Sequence, residues 1–130
     1  MPQIQSLKTD NAPKAIGPYS QAIQDGTYLF VSGQLPIDPN TGKIESDDIK
    51  GQGEQVLINI EAILREVGLD FTDVVRVEVF MKNLSDFGIL NDLYSKRFAH
   101  DTPPARQTVE VSRLPLDALV EISCIARLRR

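Results

Sequence analysis

At 130 residues, 42% hydrophobic and 25% charged, the chain has the size and composition of one ordinary globular domain. Its net charge of -4 argues against an electrostatic grip on nucleic acid or an anionic membrane surface. The single cysteine, Cys124, excludes an internal disulfide, and with one histidine, His100, it leaves no soft-ligand cluster for structural zinc.

No apolar run reaches the roughly 18 residues of a spanning helix, and the start lacks a signal-peptide core. The expectation is a cytoplasmic protein with no membrane partner. Residues 1–15 are polar, with Pro2 and Pro13, and read as a loosely held lead-in. Ile16-Gly17-Pro18-Tyr19 opens a first strand, Tyr19 to Gln24. Asp25-Gly26 is a hairpin signal, because both residues tolerate positive φ. The return strand runs from Thr27 to Ser32 and ends at Gly33, where backbone can come close to a ligand. Gln34 to about Asp47 is loop, punctuated by Pro36 and by the turn sequence Pro39-Asn40-Thr41-Gly42. A loop of that length in a small domain is functional or covers something.

A helix follows, with Ser46 or Asp47 as N-cap and Gly68 just past its end. Val56, Ile60, Ile63, Leu64 and Val67 form its apolar stripe. Gly51 and Gly53 resemble part of a phosphate loop, but no strand precedes them and no third glycine follows. Asp73 to Lys82 reads as a strand, with Val75, Val77, Val79 and Met81 on one face and Val74, Arg76, Glu78 and Phe80 on the other. A second helix from Asn83 or Ser85 carries Phe87, Leu90, Leu93, Tyr94 and Phe98 at helical spacing and frays before Asp101.

Pro103-Pro104 stops that helix, and an extended run follows. There Ala105, Gln107, Val109 and Val111 share one face, and Arg106, Thr108 and Glu110 the other. After a turn around Arg113-Leu114-Pro115, a last strand from Ala118 to about Leu128 alternates Ala118, Val120, Ile122, Cys124 and Ala126 with Leu119, Glu121, Ser123, Ile125 and Arg127. His100 reads as a solvated helix-end residue, and Arg127, Arg129 and Arg130 as a solvated basic tail.

Two helices can cover one face of such a sheet, which predicts a two-layer α+β domain spanning residues 1–130. The other face mixes Phe30, Val74, Phe80 and Ile125 with Arg76, Glu78, Arg106 and Glu121. That is too apolar for open water, and no third helix exists to cover it, so a homo-oligomer is expected. Arg106 and Glu121 are both placed on this shared face. Two readings stay open there: an arginine–carboxylate bridge locking subunits, or a pocket in which Arg106 faces an anionic ligand with Glu121 near its reacting end.

Ile16-Gly17-Pro18-Tyr19-Ser20-Gln21, Val31-Ser32-Gly33-Gln34-Leu35-Pro36 and Pro104-Ala105-Arg106 with Val109-Glu110-Val111 together resemble the reactive intermediate deaminase (Rid) family. Arg113-Leu114-Pro115 and Val120-Glu121-Ile122 extend the match over nearly the whole chain. The resemblance implies a chorismate-mutase-like fold, with one mixed sheet carrying two helices on one face. It also implies a homotrimer whose sheets pack into a barrel, with active sites at the subunit interfaces. The implied activity is hydrolysis of 2-imino acids, such as 2-iminobutanoate and 2-iminopropanoate, to 2-keto acids and ammonia. By position, Arg106 would clamp the substrate carboxylate and Glu121 would orient or activate water. Tyr19, Ser32, Gly33 and Asn91 would line the pocket. Thr108 stands where many members have cysteine, so no thiol is available there.

An imine is already electrophilic, so this chemistry calls for no cofactor. Some relatives are described as endoribonucleases or translation inhibitors, which is one alternative; a non-catalytic module sensing a small carboxylate is another.

Overall fold

The computed structural model describes residues 3–129; Pro2 and Arg130, named above, lie outside the described residues. One six-stranded sheet forms the frame, in the order β1-β2-β3-β8-β6-β7. Its strands are β1 (Gln5–Leu7), β2 (Ala22–Asp25), β3 (Tyr28–Gln34), β6 (Val74–Met81), β7 (Ala105–Glu110) and β8 (Val120–Arg127). Strands β4 (Ile37–Asp38) and β5 (Lys43–Ile44) make a separate small hairpin. Only β6 and β7 run parallel; every other neighbouring pair is antiparallel, so the sheet is mixed, as expected. The sheet is open, with β1 and β7 at its edges.

Helices α1 (Ile49–Glu66) and α2 (Phe87–Phe98) bury one face of it. Leu29, Val31, Val77, Val79, Met81, Val120, Ile122, Cys124 and Ala126 point to that face and are all buried. Against them α1 sets Val56, Leu57, Ile60, Ile63 and Leu64. At about 1.5–3 kcal/mol for each large apolar side chain, this layer supplies the main favourable term of folding.

Local chemistry explains the boundaries. Asp48 caps α1 by accepting the Gly51 N–H at 2.8 Å, two residues after Ser46 and one after Asp47, the expected caps. The helix ends as expected at Gly68 (φ 73°), where the Leu69 N–H reaches Leu64 O at 2.9 Å and the Gly68 N–H reaches Arg65 O at 3.1 Å. Gly53 has a packing role: a Cβ there would lie 2.9 Å from Leu90 Cδ1, so glycine lets α2 approach α1. The Arg97 guanidinium binds Glu54 across the same contact and holds that carboxyl below its usual range.

Several sequence expectations are corrected. The strand expected from Tyr19 is β2 and begins at Ala22, and Ile16 to Tyr19 is exposed and lies outside any strand. The hairpin turn falls on Gly26-Thr27, since Asp25 pairs with Tyr28, and only Gly26 takes a positive φ. A bulge between Val74 and Arg76 reverses the start of β6, so Val74 is buried and Val75 is exposed. The lead-in is firmly held: β1 pairs with β2, and Leu7, Thr9 and Ala12 are buried. His100 is half-buried rather than solvated, while Arg129 is exposed as expected and also pairs with Asp70 and Asp73.

Three buried amides fasten the irregular segments. The Gln21 side chain accepts from the Thr9 N–H at 2.8 Å and donates to Pro13 O at 2.8 Å. Gln52 donates to Ser46 O at 2.9 Å and accepts from the Leu119 N–H at 2.8 Å. Fully buried Asn59 donates to Leu35 O at 3.1 Å and to Ile37 O at 2.9 Å. Asn59→Leu leaves both carbonyls unpaired in the interior and should cost about 3 kcal/mol. Urea unfolding measures this, and a loss below about 0.5 kcal/mol would contradict it.

Candidate active site

Arg106 lies on β7 at the open end of the sheet, where its register decides what it can meet. It pairs with Val77, and Thr108 pairs with Val79, so both side chains leave the sheet on the helix side. A charge can stay there because β7 is an edge strand and Arg106 is exposed. Its guanidinium carbon sits 4.6 Å from the centre of the Tyr94 ring and 5.4 Å from that of Phe87. Nη1 donates to Asn91 Oδ1 at 2.8 Å. Among the described residues no carboxylate comes within ion-pairing distance of Arg106. A cavity of about 430 Å³ opens beside it, walled by Tyr94, Phe98, Ala99, Pro103 and Pro104.

Glu121 belongs to the other side. It pairs with Phe80 while its neighbour Ile122 pairs with Val79, so it leaves the face that the helices do not cover. There it lies against Gly33: a Cβ on that glycine would collide with Glu121 Oε2. The approach is made possible by a bulge in β3, where the pairing skips from Val31–Cys124 to Gln34–Ile122 and leaves Ser32 and Gly33 out of register. Ser32 Oγ is spent on Ser20 O at 2.6 Å, which ties the bulge to the exposed loop. Burial raises the Glu121 carboxyl above its ordinary pKa. Tyr19, half exposed, joins Gly33, Gln34 and Leu35 around a small recess, and its hydroxyl accepts the Ile16 N–H at 3.3 Å.

The expectation that Arg106 and Glu121 share a face is therefore overturned. Alternation along β7 and β8 is as read, but the set containing Arg106 faces the helices and the set containing Glu121 faces away. Strand β6 also stands between them. Within one chain the candidate residues fall into two sets, candidate half-sites: Arg106, Asn91 and Thr108 on one side, Glu121, Gly33, Ser32 and Tyr19 on the other. The sequence pattern marks Phe87 and Tyr94, the two rings beside Arg106, only as helix stripe. The signal for them was the spacing Phe87, Asn91, Tyr94, which sets an amide between two rings on one helix face.

Thr108 Oγ1 and Tyr94 Oη are buried with no hydrogen-bond partner among the described residues. Cys124 is buried on the helix side, and burial pushes its thiol up to about 12, so it is no nucleophile at neutral pH. Among the described residues no group of three or more histidine, cysteine or carboxylate side chains could hold a metal, and no helix is long and apolar enough to cross a membrane.

Comparison with known proteins bears on this arrangement. Residues 9–128 match the family described as Endoribonuclease L-PSP. A RutC family protein of Pyrococcus horikoshii is 54% identical over 118 residues, which is 91% of this chain and 93% of that one. A crystal structure of a conserved Rid-family protein from Yersinia pestis, 45% identical, superimposes with a TM-score of 0.94 over 97% of this chain and 100% of that chain.

The chain belongs to the Rid family. Other Rid relatives carry more specific descriptions. An Arabidopsis thaliana protein named Reactive Intermediate Deaminase A, chloroplastic, is 44% identical over 94% of this chain and 65% of its own length. The structure of E. coli TdcF with bound serine is 38% identical, with a TM-score of 0.89 over 96% of this chain and 99% of that one.

In this Rid chain the carboxyl of Glu121 should titrate above the ordinary glutamate range when followed by carbon-13 NMR. Gly33→Ala should displace the carboxylate toward water and bring the pKa back down, because desolvation is its largest cause. An unchanged titration in Gly33→Ala would show that the glycine contact does not set this environment.

Proposed function

We propose that this protein is a cofactor-free hydrolase of small 2-imino acids, working as a homotrimer whose sites lie between subunits. The observation that carries the reading is the unpaired Arg106, backed by two rings and fixed by Asn91, with donors to spare for a carboxylate. The deaminase name of the Arabidopsis relative and the serine held by TdcF, itself a small amino acid, support it. The uncovered sheet face, with Phe30 and Val75 more than two-fifths exposed, supports assembly. Because the two residues leave opposite faces of one sheet, the proposed assembly sets Arg106 of one copy against Glu121 of the next.

In that site Arg106 holds the substrate carboxylate and leaves the imine carbon facing Glu121 of the neighbouring copy. Glu121 takes a proton from water as the water oxygen bonds to the imine carbon. The imine nitrogen enters protonated, so this gives a neutral carbinolamine; Glu121 returns its proton to the nitrogen, ammonia leaves, and the hydroxyl proton passes through Glu121 to ammonia as the 2-keto acid forms and the carboxylate is restored. Gly33 supplies backbone where a side chain would collide with the carboxylate, Tyr19 closes the edge, and Thr108 contributes through its backbone.

The coupled test uses a threonine dehydratase as imine source, with semicarbazide competing for the imine. Wild-type protein should speed 2-oxobutanoate release, and Arg106→Ala should abolish the gain while assembly persists. Mixing Arg106→Ala with Glu121→Gln and reassembling them should restore activity at about one site in four, since only a site that takes its Arg106 from one parent and its Glu121 from the other is intact. No recovery would refute the shared site.

Glu121 must be ionised to act, so activity is full above its raised pKa and falls as pH drops through it. The acid limb of kcat against pH should therefore lie above the ~4.3 of an unperturbed glutamate. A limb at the ordinary value would count against Glu121 as the base.

The matched family's description as an endoribonuclease gives the second reading. A net charge of -4 and a single histidine weigh against it, and salt-sensitive RNA binding with cleavage would be its signature.

A further inference from the structure

Arg106 is exposed, yet it is held on three sides by one face of α2. Phe87, Asn91 and Tyr94 follow at successive turns, so a single helical stripe presents ring, amide and ring. The rings attract the guanidinium through their electron-rich faces, and the amide fixes its rotation within its own plane. Only one of its five N–H groups is spent on Asn91, and the in-plane edge that grips a carboxylate stays available.

The platform is itself braced. Tyr94 stacks on Phe98 with ring centres 4.4 Å apart and planes at 28°, and Phe98 meets Phe71 edge-on at 5.0 Å. The Tyr94 hydroxyl is buried and bonds to nothing among the described residues, so it is the ring that this position uses.

We infer that Phe87 and Tyr94 are positioning residues that preset the Arg106 guanidinium for a carboxylate, so that the ligand need not order a mobile side chain as it binds. The inference rests on the reading of Arg106 as a carboxylate clamp. A purely structural stack would move stability and leave carboxylate affinity alone.

The probe is 2-oxobutanoate, titrated into the assembled protein with the Arg106 Nε–Hε resonance observed by NMR. Tyr94→Leu should weaken binding about fivefold or more and shift the unliganded Arg106 resonance through loss of the ring current. Tyr94→Phe, which keeps the ring and loses only an unbonded hydroxyl, should bind within about twofold of wild type. In the imine assay Tyr94→Leu should raise KM with kcat little changed, because the grip is common to ground and transition states.

Unchanged affinity in a folded Tyr94→Leu protein overturns the inference. Should that variant fail to assemble, the milder Phe87→Leu decides by the same two readouts. Wild-type protein that binds no 2-oxobutanoate refutes the clamp and this inference with it. Binding that obeys the variant series without imine turnover in wild type supports the inference and removes only the hydrolase reading.

Discussion

A hydrogen-bonded sheet is opaque to its own side chains, and the placement of the candidate residues of this protein follows from that fact. Residues on opposite faces are kept apart by backbone, whatever their distance along the strand. Arg106 and Glu121 fall on opposite faces with β6 between them. A charge pair that one chain keeps apart can cooperate only across two chains. The uncovered face carrying Glu121 also carries Phe30, Phe80 and Ile125, the apolar material from which a seam between copies is made. Assembly would thus bury unpartnered surface and complete the chemistry in one step.

Much of the architecture was readable from pattern. Helix α1 announced itself through its stripe and through Gly68, and β8 through an unbroken alternation whose inner set is wholly buried. What the pattern could not supply was which alternate set faces the helices. On a central strand the apolar set settles the matter; on edge strand β7 it does not, because water reaches the helix side and an arginine can rest there on aromatic rings. The β6 bulge was hidden for a related reason. Val74 and Val75 are equally apolar, and only the pairing with β8 shows which one turns inward.

The candidate site was legible as a set of residues and illegible as a geometry. Arg106 and Glu121 stood out from strand alternation and Gly33 as a point of close backbone approach, while Tyr19, Ser32 and Asn91 came from the family resemblance; Asn91 proves to hold Arg106 directly. The contact of Gly33 with Glu121 joins residues remote in sequence through a bulge, which no local signal marks. Phe87 and Tyr94 were concealed by their own hydrophobicity, since a ring that supports a cation looks like any other core ring at helical spacing. Buried Gln21 and Asn59 were similarly silent, because an amide that fastens loops cannot be told from a surface amide without the fold.

The two half-sites differ in how the chain builds them. The cationic half is contained in the β6–α2–β7 crossover, where the rings, the amide and the arginine lie between Phe87 and Arg106. The acidic half is gathered from Tyr19, Gly33 and Glu121, and so depends on the long-range closure of nearly the entire chain. The first is a portable cassette that could survive transplantation into another parallel crossover. The second is a property of the whole scaffold, and local fraying near the amino terminus would erase it while the cassette stayed intact.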